Sequence, residues 1–316
     1  MIENIILIFM VNLLHCDPNE IVLSQLKTTG SNCYNNTNYK ATTSEESYFI
    51  KFSHKNSLFV NPLKNEFYCT KLAYKAGIAP NPLIYNEERS LMISKFIETK
   101  IAFDFAHVTA KKRYTSLLRK LHRSKISFPI EFSPFEAIQA CIKTAQEKMI
   151  ILPDDLLKKF LPKIMSLSEK GLFTNKAPCH LDAHLENLLD DGESLYLVDW
   201  ECAGMCDPWF DLACVSALED FSDGEMYEIL QLYLEQVPGD EDFQKLFQMR
   251  IIADARFCTY CFLQSEGSSE RANIYKKVAK KYLNRCRERL AIPPILRERE
   301  TTEIQRSSQC LHIEMD

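Results

Sequence analysis

Between Ala177 and Glu201 the sequence runs through a polar loop, a short apolar strand, the turn Asp190-Asp191-Gly192 and a second apolar run, Leu195-Tyr196-Leu197-Val198, that ends on the carboxylate of Asp199. An Asp-Gly pair between two apolar runs is a strong hairpin signal, because both central positions of such a turn favour positive φ. Closing a hairpin there brings Asn187 and Asp199 to the same open end, with Asp182 on the loop just ahead of them. Two carboxylates and an amide oxygen converging on one point suit Mg²⁺, a hard ion that prefers oxygen ligands.

Upstream of this hairpin the pattern is β-rich. Residues 21–26, 33–43 and 48–52 read as strands of an antiparallel sheet, and the polar run 27–32 has the composition of a tight turn. Asn61-Pro62 opens a helix whose apolar face is expected at Phe67, Leu72, Ala73 and Tyr74, with Gly77 as its stop. A second hairpin follows, with strands at 83–85 and 91–96 about the turn 86–89.

From about residue 99 the period changes to helical, with segments at 114–122, 134–148 and 154–170. Beyond the central hairpin, Asp207-Pro208 reads as an N-cap followed by Pro at the first helical position. Ser222 and Glu225 form a capping box ahead of Met226, Ile229, Leu230, Tyr233 and Leu234. Further helices are expected at 243–264 and 272–290.

The expected fold is therefore α+β and bilobal. A small antiparallel β-sheet lobe with one helix spans 1–98, and a larger, mainly helical lobe spans 99–292. A charged tail, 293–316, lacks an apolar period and is expected to be mobile. The two lobes join near Phe96-Ile97-Glu98, and a cleft between lobes is the usual place for a ligand.

Composition removes several function classes. A formal net charge of -5 argues against nucleic acid as a partner, since phosphate binding wants a basic face, and slightly favours a cationic substrate. The 12 cysteines show no framework spacing and read as free thiols of a reducing compartment. Cys202 with Cys206, and Cys258 with Cys261, would each be half of a metal or redox site; neither has a second half nearby, and small buried hydrophobes are the alternative. The apolar run 5–14 is too short to span a bilayer and lacks a signal peptide's basic flank. A buried amphipathic helix, no stable membrane insertion and a cytoplasmic location are the expectations.

Taken in order, His180-x-Asp182-x-x-x-x-Asn187, then Leu197-Val198-Asp199-Trp200-Glu201, then Gly204, Asp207-Pro208 and Asp211-Leu212-Ala213, resemble the choline/ethanolamine kinase family. The likeness is to its bacterial LicA-like branch, within the aminoglycoside-phosphotransferase and protein-kinase-like fold, and it runs from about residue 20 to about 270. The resemblance implies a kinase using ATP and Mg²⁺ on the hydroxyl of a small cationic amino-alcohol, choline or ethanolamine first, with thiamine and aminoglycosides as rival acceptors. Asp182 is then the catalytic carboxylate, and Asn187 and Asp199 the metal ligands.

By themselves Lys51 is an outward strand lysine and Glu66 a solvated helix carboxylate. The resemblance makes Lys51 the strand lysine that grips the ATP phosphates and Glu66 its ion-pair partner. It places the phosphate loop at Gly30-Ser31-Asn32 and the adenine hinge at Phe96, Ile97 and Glu98. His180 and Asp211 are implied to be structural. Glu201 contacts metal or acceptor, or braces the loop. Phe257 and Tyr260 fall where choline kinases carry two tryptophans around the ammonium; at i and i+3 they share a helix face, either to cradle a cation or to pack in the core.

The chain departs from the family pattern at four points. The phosphate loop keeps one glycine, Leu181 stands for the usual Asn, Cys202 follows Asp-Trp-Glu where relatives place Tyr, and both tryptophans are gone. Two other classes stay open at this point: a catalytically weak kinase-like binding module, and a cysteine-based metal or redox protein.

Overall fold

The computed structural model describes residues 2–26, 36–53 and 63–291. The expected phosphate loop at Gly30, Ser31 and Asn32 and the tail 293–316 lie outside them. Strands Val22–Gln25 (β1), Asn36–Thr42 (β2), Ser47–Ser53 (β3), Pro82–Asn86 (β4) and Leu91–Lys95 (β5) form one antiparallel sheet in the order β1-β2-β3-β5-β4. Strand residues alternate faces, so Tyr48, Ile50 and Phe52 turn one way and Phe49 and Lys51 the other.

The first face, with Tyr39, Ala41, Leu91 and Ile93, packs under the helix Ile2–Leu14 (α1). Only Ile6 and Met10 of that helix are fully buried and Ile8 is 62% exposed, so the expected buried helix is half-buried, lying on the outside of the sheet. The second face opens on the cleft.

Helix Leu63–Lys75 (α2) crosses that second face. Its buried positions are Leu63, Glu66, Cys69, Thr70 and Ala73, at the i, i+3, i+4, i+7 spacing of a single stripe. Of the expected apolar face only Ala73 is buried, and Tyr74 is 43% exposed. The stripe was missed because its central member is a glutamate. Gly77 ends the helix at φ +66, a left-handed conformation that favours glycine, and its carbonyl accepts from Lys120 Nζ at 2.8 Å.

The remainder is mostly helical: Val108–His122 (α3), Pro134–Glu147 (α4), Leu161–Met165 (α5), Trp209–Leu218 (α6), Asp223–Leu234 (α7), Asp240–Gln264 (α8) and Glu270–Ala291 (α9). The segment expected as one helix over 154–170 is broken into a π-turn at Leu156–Phe160, α5, and a 3₁₀ stretch at Ser166–Lys170. Pro162 has no N–H to continue an α-helical ladder. The run Phe210 to Ala217 in α6 is buried without interruption, as a helix at the centre of a core must be. It begins one residue later than the capping pattern suggested, and the Asp207 carboxylate accepts from the Trp209 amide at 3.1 Å. The Ser222–Glu225 capping box is present as read.

Two short sheets hold the loop around Asp182. Ala177–Cys179 (β6) pairs with Gly204–Cys206 (β9), and Leu188–Asp190 (β7) pairs with Leu195–Leu197 (β8). The expected hairpin is real, but its turn differs. Asp190 pairs with Leu195, which leaves a four-residue loop where only Gly192 has positive φ. Asp191 organises that loop, accepting from the amides of Glu193 (2.9 Å) and Ser194 (2.7 Å). Among the described residues no helix is long and apolar enough to cross a membrane.

Candidate active site

Lys51 lies at the centre of the cleft. Period-two alternation in β3 aims it away from the sheet's packed face, and α2 brings Glu66 against it at 2.8 and 3.0 Å. From the helical side, Asp199 meets the same ammonium at 2.7 Å and Glu201 at 3.4 Å. Lys51 and Glu66 are both almost wholly buried, which neither would tolerate alone. Burial acts to lower the Lys51 pKa, but Asp199, Glu66 and Glu201 outweigh it and hold the pKa well above the ordinary range. The same ammonium overcomes burial at Asp199 and keeps that carboxylate ionised below its usual value. Glu201 goes the other way: burial, and then the neighbouring Asp199 charge, push its pKa up to about 8.

Below this cluster the loop carrying Asp182 is clamped from beneath. Asp211, fully buried on α6, accepts from the amides of His180 (2.9 Å) and Leu181 (2.6 Å), and its Oδ2 also meets His122 Nε2 on α3 at 2.9 Å. Burial opposes the Asp211 charge, but His122 and the His180 amide more than offset it, so the carboxyl titrates below its usual range. His122 is held in turn by the Tyr233 hydroxyl at 2.8 Å.

Leu181 takes the left-handed conformation, φ +65, and so does Asp199 at φ +65. That conformation costs a non-glycine residue about 1–2 kcal/mol and persists only where neighbours impose it. At Leu181 the neighbours are Asp211 on the amide and Arg256 on the carbonyl, at 2.9 Å.

The imidazole of His180 packs edge-on to Trp200 at 4.6 Å and donates from Nε2 to the Val198 carbonyl at 2.9 Å. Its Nδ1 is buried with no hydrogen-bond partner among the described residues, and burial holds the ring's pKa below its ordinary value. A neutral ring that braces the loop is what these contacts describe. Asp182 is oriented by the Asn187 amide, which reaches its carbonyl at 2.8 Å and its Oδ2 at 3.3 Å, and by His184 Nε2 at 3.7 Å.

Two cavities meet at this loop. One, of about 570 Å³, lies between sheet and hairpin and is lined by Lys51, Met92, Phe96, Ile97, Glu98, Asn187 and Asp199 among others. The Phe96 ring receives Lys40 Nζ at 4.3 Å, and Lys40 also ion-pairs with Glu98, so the connector is fixed to β2. The other cavity, of about 400 Å³, lies among the helices and is lined by Asp182, Glu201, Cys202, Arg256, Phe257, Tyr260 and Tyr282 among others. Glu186 lines both.

The structure thus brings Lys51, Glu66, Asp182, Asn187, Asp199 and Glu201 together, and places Phe96, Ile97 and Glu98 on the first cavity and Phe257 and Tyr260 on the second. Carboxylate oxygens of Glu66, Asp199 and Glu201 lie within 4.8 Å of one another, hard oxygen donors of the kind a divalent cation takes, and the Lys51 ammonium stands among them at 2.8, 2.7 and 3.4 Å. Neither cysteine pair joins any candidate metal group among the described residues, and Cys202, Cys206, Cys258 and Cys261 are free thiols. Sequence reading missed His122 and Tyr233, which brace the loop from other helices, and Arg256, Glu219 and Tyr282 in the second cavity. None carries a local signal; their roles come from tertiary packing alone.

The sequence matches the phosphotransferase enzyme family over residues 31–245. Protein LicA of Haemophilus influenzae is 22% identical over 218 residues, which cover 67% of this chain and 82% of the relative. The fold is similar to the choline/ethanolamine kinase family protein from Mesorhizobium loti, with a TM-score of 0.74 at 20% identity over 96% of this chain and 99% of that one. It is also similar to choline kinase LicA from Streptococcus pneumoniae, with a TM-score of 0.72 at 24% identity over 90% and 99%.

Proposed function

This chain belongs to the phosphotransferase enzyme family, and on that premise we propose that it is an ATP-dependent kinase acting on the hydroxyl of a small amino-alcohol. The observation that carries this reading is Lys51 held by Glu66 at 2.8 Å and by Asp199 at 2.7 Å on one cavity, with Asp182 on the adjoining cavity and Glu186 lining both. A lysine this deep in a protein, clamped from both lobes, is arranged to meet phosphate charge.

The connector near residue 98 divides the work. The sheet lobe and the connector at Phe96, Ile97 and Glu98 hold the nucleotide, and the helical lobe holds the acceptor. Asp199 and Asn187, with Glu201 close by, would hold Mg²⁺, which when bound neutralises phosphate charge. Lys51 contacts the phosphates and is kept protonated by its acidic neighbours.

Asp182 accepts the hydrogen bond of the acceptor hydroxyl. As that oxygen bonds to the γ-phosphorus, the bond to the ADP oxygen breaks and the hydroxyl proton passes to the Asp182 carboxylate. The Asn187 amide, donating to the Asp182 carbonyl at 2.8 Å and to its Oδ2 at 3.3 Å, orients the carboxylate for the acceptor. Choline and ethanolamine are the acceptors that the relatives' names and the acid-lined second cavity favour. A binding module without catalysis would have no need of the full set Lys51, Glu66, Asp182, Asn187 and Asp199, all of which stand here in one cleft.

The test is ADP release from Mg-ATP with choline, ethanolamine, thiamine and an aminoglycoside, beside Asp182→Asn. Turnover that depends on an amino-alcohol and falls at least about a hundredfold in the variant is the expected result, the usual scale for losing a positioned base. No acceptor-dependent turnover, or a variant equal to wild type, overturns the reading.

A further inference from the structure

The second cavity already contains a cation of the protein's own. The Arg256 guanidinium lies 5.0 Å from the ring centroid of Phe132 and 5.1 Å from that of Phe257, and all three residues line the cavity. It is tied down by a hydrogen bond from Nη1 to the Leu181 carbonyl at 2.9 Å and by a contact to Cys214 Sγ at 3.9 Å. Phe257 also packs on Tyr282 at 5.6 Å, and Tyr260 meets Tyr275 edge-on at 6.3 Å.

A quaternary ammonium has no N–H to donate, so its recognition depends on aromatic faces and a negative field. Here the Phe132 and Phe257 rings face a guanidinium instead. Carboxylates remain: Asp182, Glu186, Glu201 and Glu219 all line the cavity, while its other cations, Lys281 and Arg285, pair with Asp220. Glu219 accepts one hydrogen bond, through Oε1 from the Leu185 amide at 2.7 Å, and a carboxylate has capacity for several.

We propose that Arg256 is the specificity-determining residue of the acceptor cavity: by occupying the aromatic position between Phe132 and Phe257 it turns the site from a quaternary to a primary ammonium, held by hydrogen bonds to carboxylates. The proposal rests on the kinase reading above and narrows its acceptor. The hydroxyl end of the acceptor points to Asp182 and the amine end to the carboxylates beyond it, Glu219 foremost. Because Arg256 also holds the Leu181 carbonyl, the residue that selects the acceptor also fixes the strained step of the catalytic loop.

The experiment measures kcat/KM of the full chain along the series ethanolamine, N-methylethanolamine, N,N-dimethylethanolamine and choline, which removes one N–H at a time. The expected result is a stepwise fall totalling at least about tenfold from ethanolamine to choline, the scale of one lost charge-assisted hydrogen bond. Arg256→Met, which frees both rings, is expected to shift the ratio toward choline, with Arg256→Lys lying between it and wild type. Choline used as well as ethanolamine by the wild type overturns the proposal while leaving the kinase reading in place. So does Arg256→Met lowering both acceptors equally, which is the signature of a purely structural arginine. Turnover of none of the four acceptors fails the kinase reading itself. If Arg256→Met does not fold, Arg256→Lys decides: an ethanolamine-to-choline ratio equal to that of the wild type overturns the role given to Arg256.

Discussion

Asp211→Asn tests whether the loop that carries Asp182 is held from below. In the wild type one carboxylate serves three donors: Oδ1 takes the Leu181 amide at 2.6 Å, and Oδ2 takes the His180 amide at 2.9 Å and His122 Nε2 at 2.9 Å. An amide side chain offers one oxygen and turns an NH₂ group toward whichever donors remain. At least one buried N–H is then stranded, and the negative charge that the three donors share is gone. Breaking a fully buried charged network by removing one partner costs roughly 3–5 kcal/mol, and the single stranded donor alone accounts for about 1–3 kcal/mol of that.

The strain at Leu181 sharpens the consequence. With φ at +65 the residue relaxes once its amide loses its acceptor, and the neighbouring Asp182 moves with it. Urea unfolding should show the midpoint lowered, with stability down by roughly 3–5 kcal/mol. Kinetics should show kcat reduced and KM for ATP little changed, since Lys51 and Asp199 do not touch Asp211. Destabilisation below about 1 kcal/mol, the value of one ordinary hydrogen bond, would refute the account of the clamp. A KM effect without a kcat effect would refute its link to Asp182.

Three further outcomes are expected. Lys51→Met leaves Glu66 and Asp199 facing one another with no cation, so it should cost roughly 3–5 kcal/mol in denaturant unfolding and remove ATP turnover, and a variant as stable as wild type would mean the acids are not held by Lys51. His180 is kept neutral by burial, so the unfolded chain binds its proton from about pH 6.5 downward while the folded chain does not, and stability should fall as pH drops through that range. His180→Gln should flatten the difference between unfolding midpoints at pH 7.5 and 5.5, and an unaltered difference would count against a neutral ring. Cys16 and Cys202 are both half-buried, but the surroundings of Cys202, desolvation first and the Asp182 charge next, push its thiol far above the ordinary range, so iodoacetamide at pH 8 should label Cys16 before Cys202 in the native protein, as read by peptide mass mapping; early labelling of Cys202 would contradict this.

The parts of the site that were legible in the sequence are those in which spacing carries the chemistry. Asp182, Asn187 and Asp199 lie within a single loop and hairpin, so the chain itself brings them near one another before Asp211 and Lys51 fix them from other elements. Lys51 and Glu66 became legible only through the family resemblance, because an isolated strand lysine and helix glutamate look solvated. The structure buries both, and Glu66 falls on the buried stripe where an apolar side chain was expected.

The helix broken at Leu156–Phe160 and the four-residue turn at Asp191 were misread for a related reason. Pro162 and the Asp191 side chain redirect a few backbone hydrogen bonds, which hydrophobic period does not register. Arg256 lay in plain sight between Asp254 and Phe257, yet nothing local distinguishes an arginine bound for a cavity wall from one bound for solvent. Its placement depends on Phe132, far away in the chain, and on the Leu181 carbonyl of the loop that carries Asp182.

Lys51 gives the cleft one more property. An acid-lined groove ordinarily gathers mobile ions from solution, and a ligand that displaces them gains from their return to bulk, which makes its affinity depend on salt. Here the groove's counter-ion is covalently part of β3, held by Glu66, Asp199 and Glu201 at once. When a nucleotide enters, this tethered charge changes partners without leaving the molecule. That exchange releases no ion from the carboxylates around Lys51, so this one contact should add little to the salt dependence of nucleotide binding.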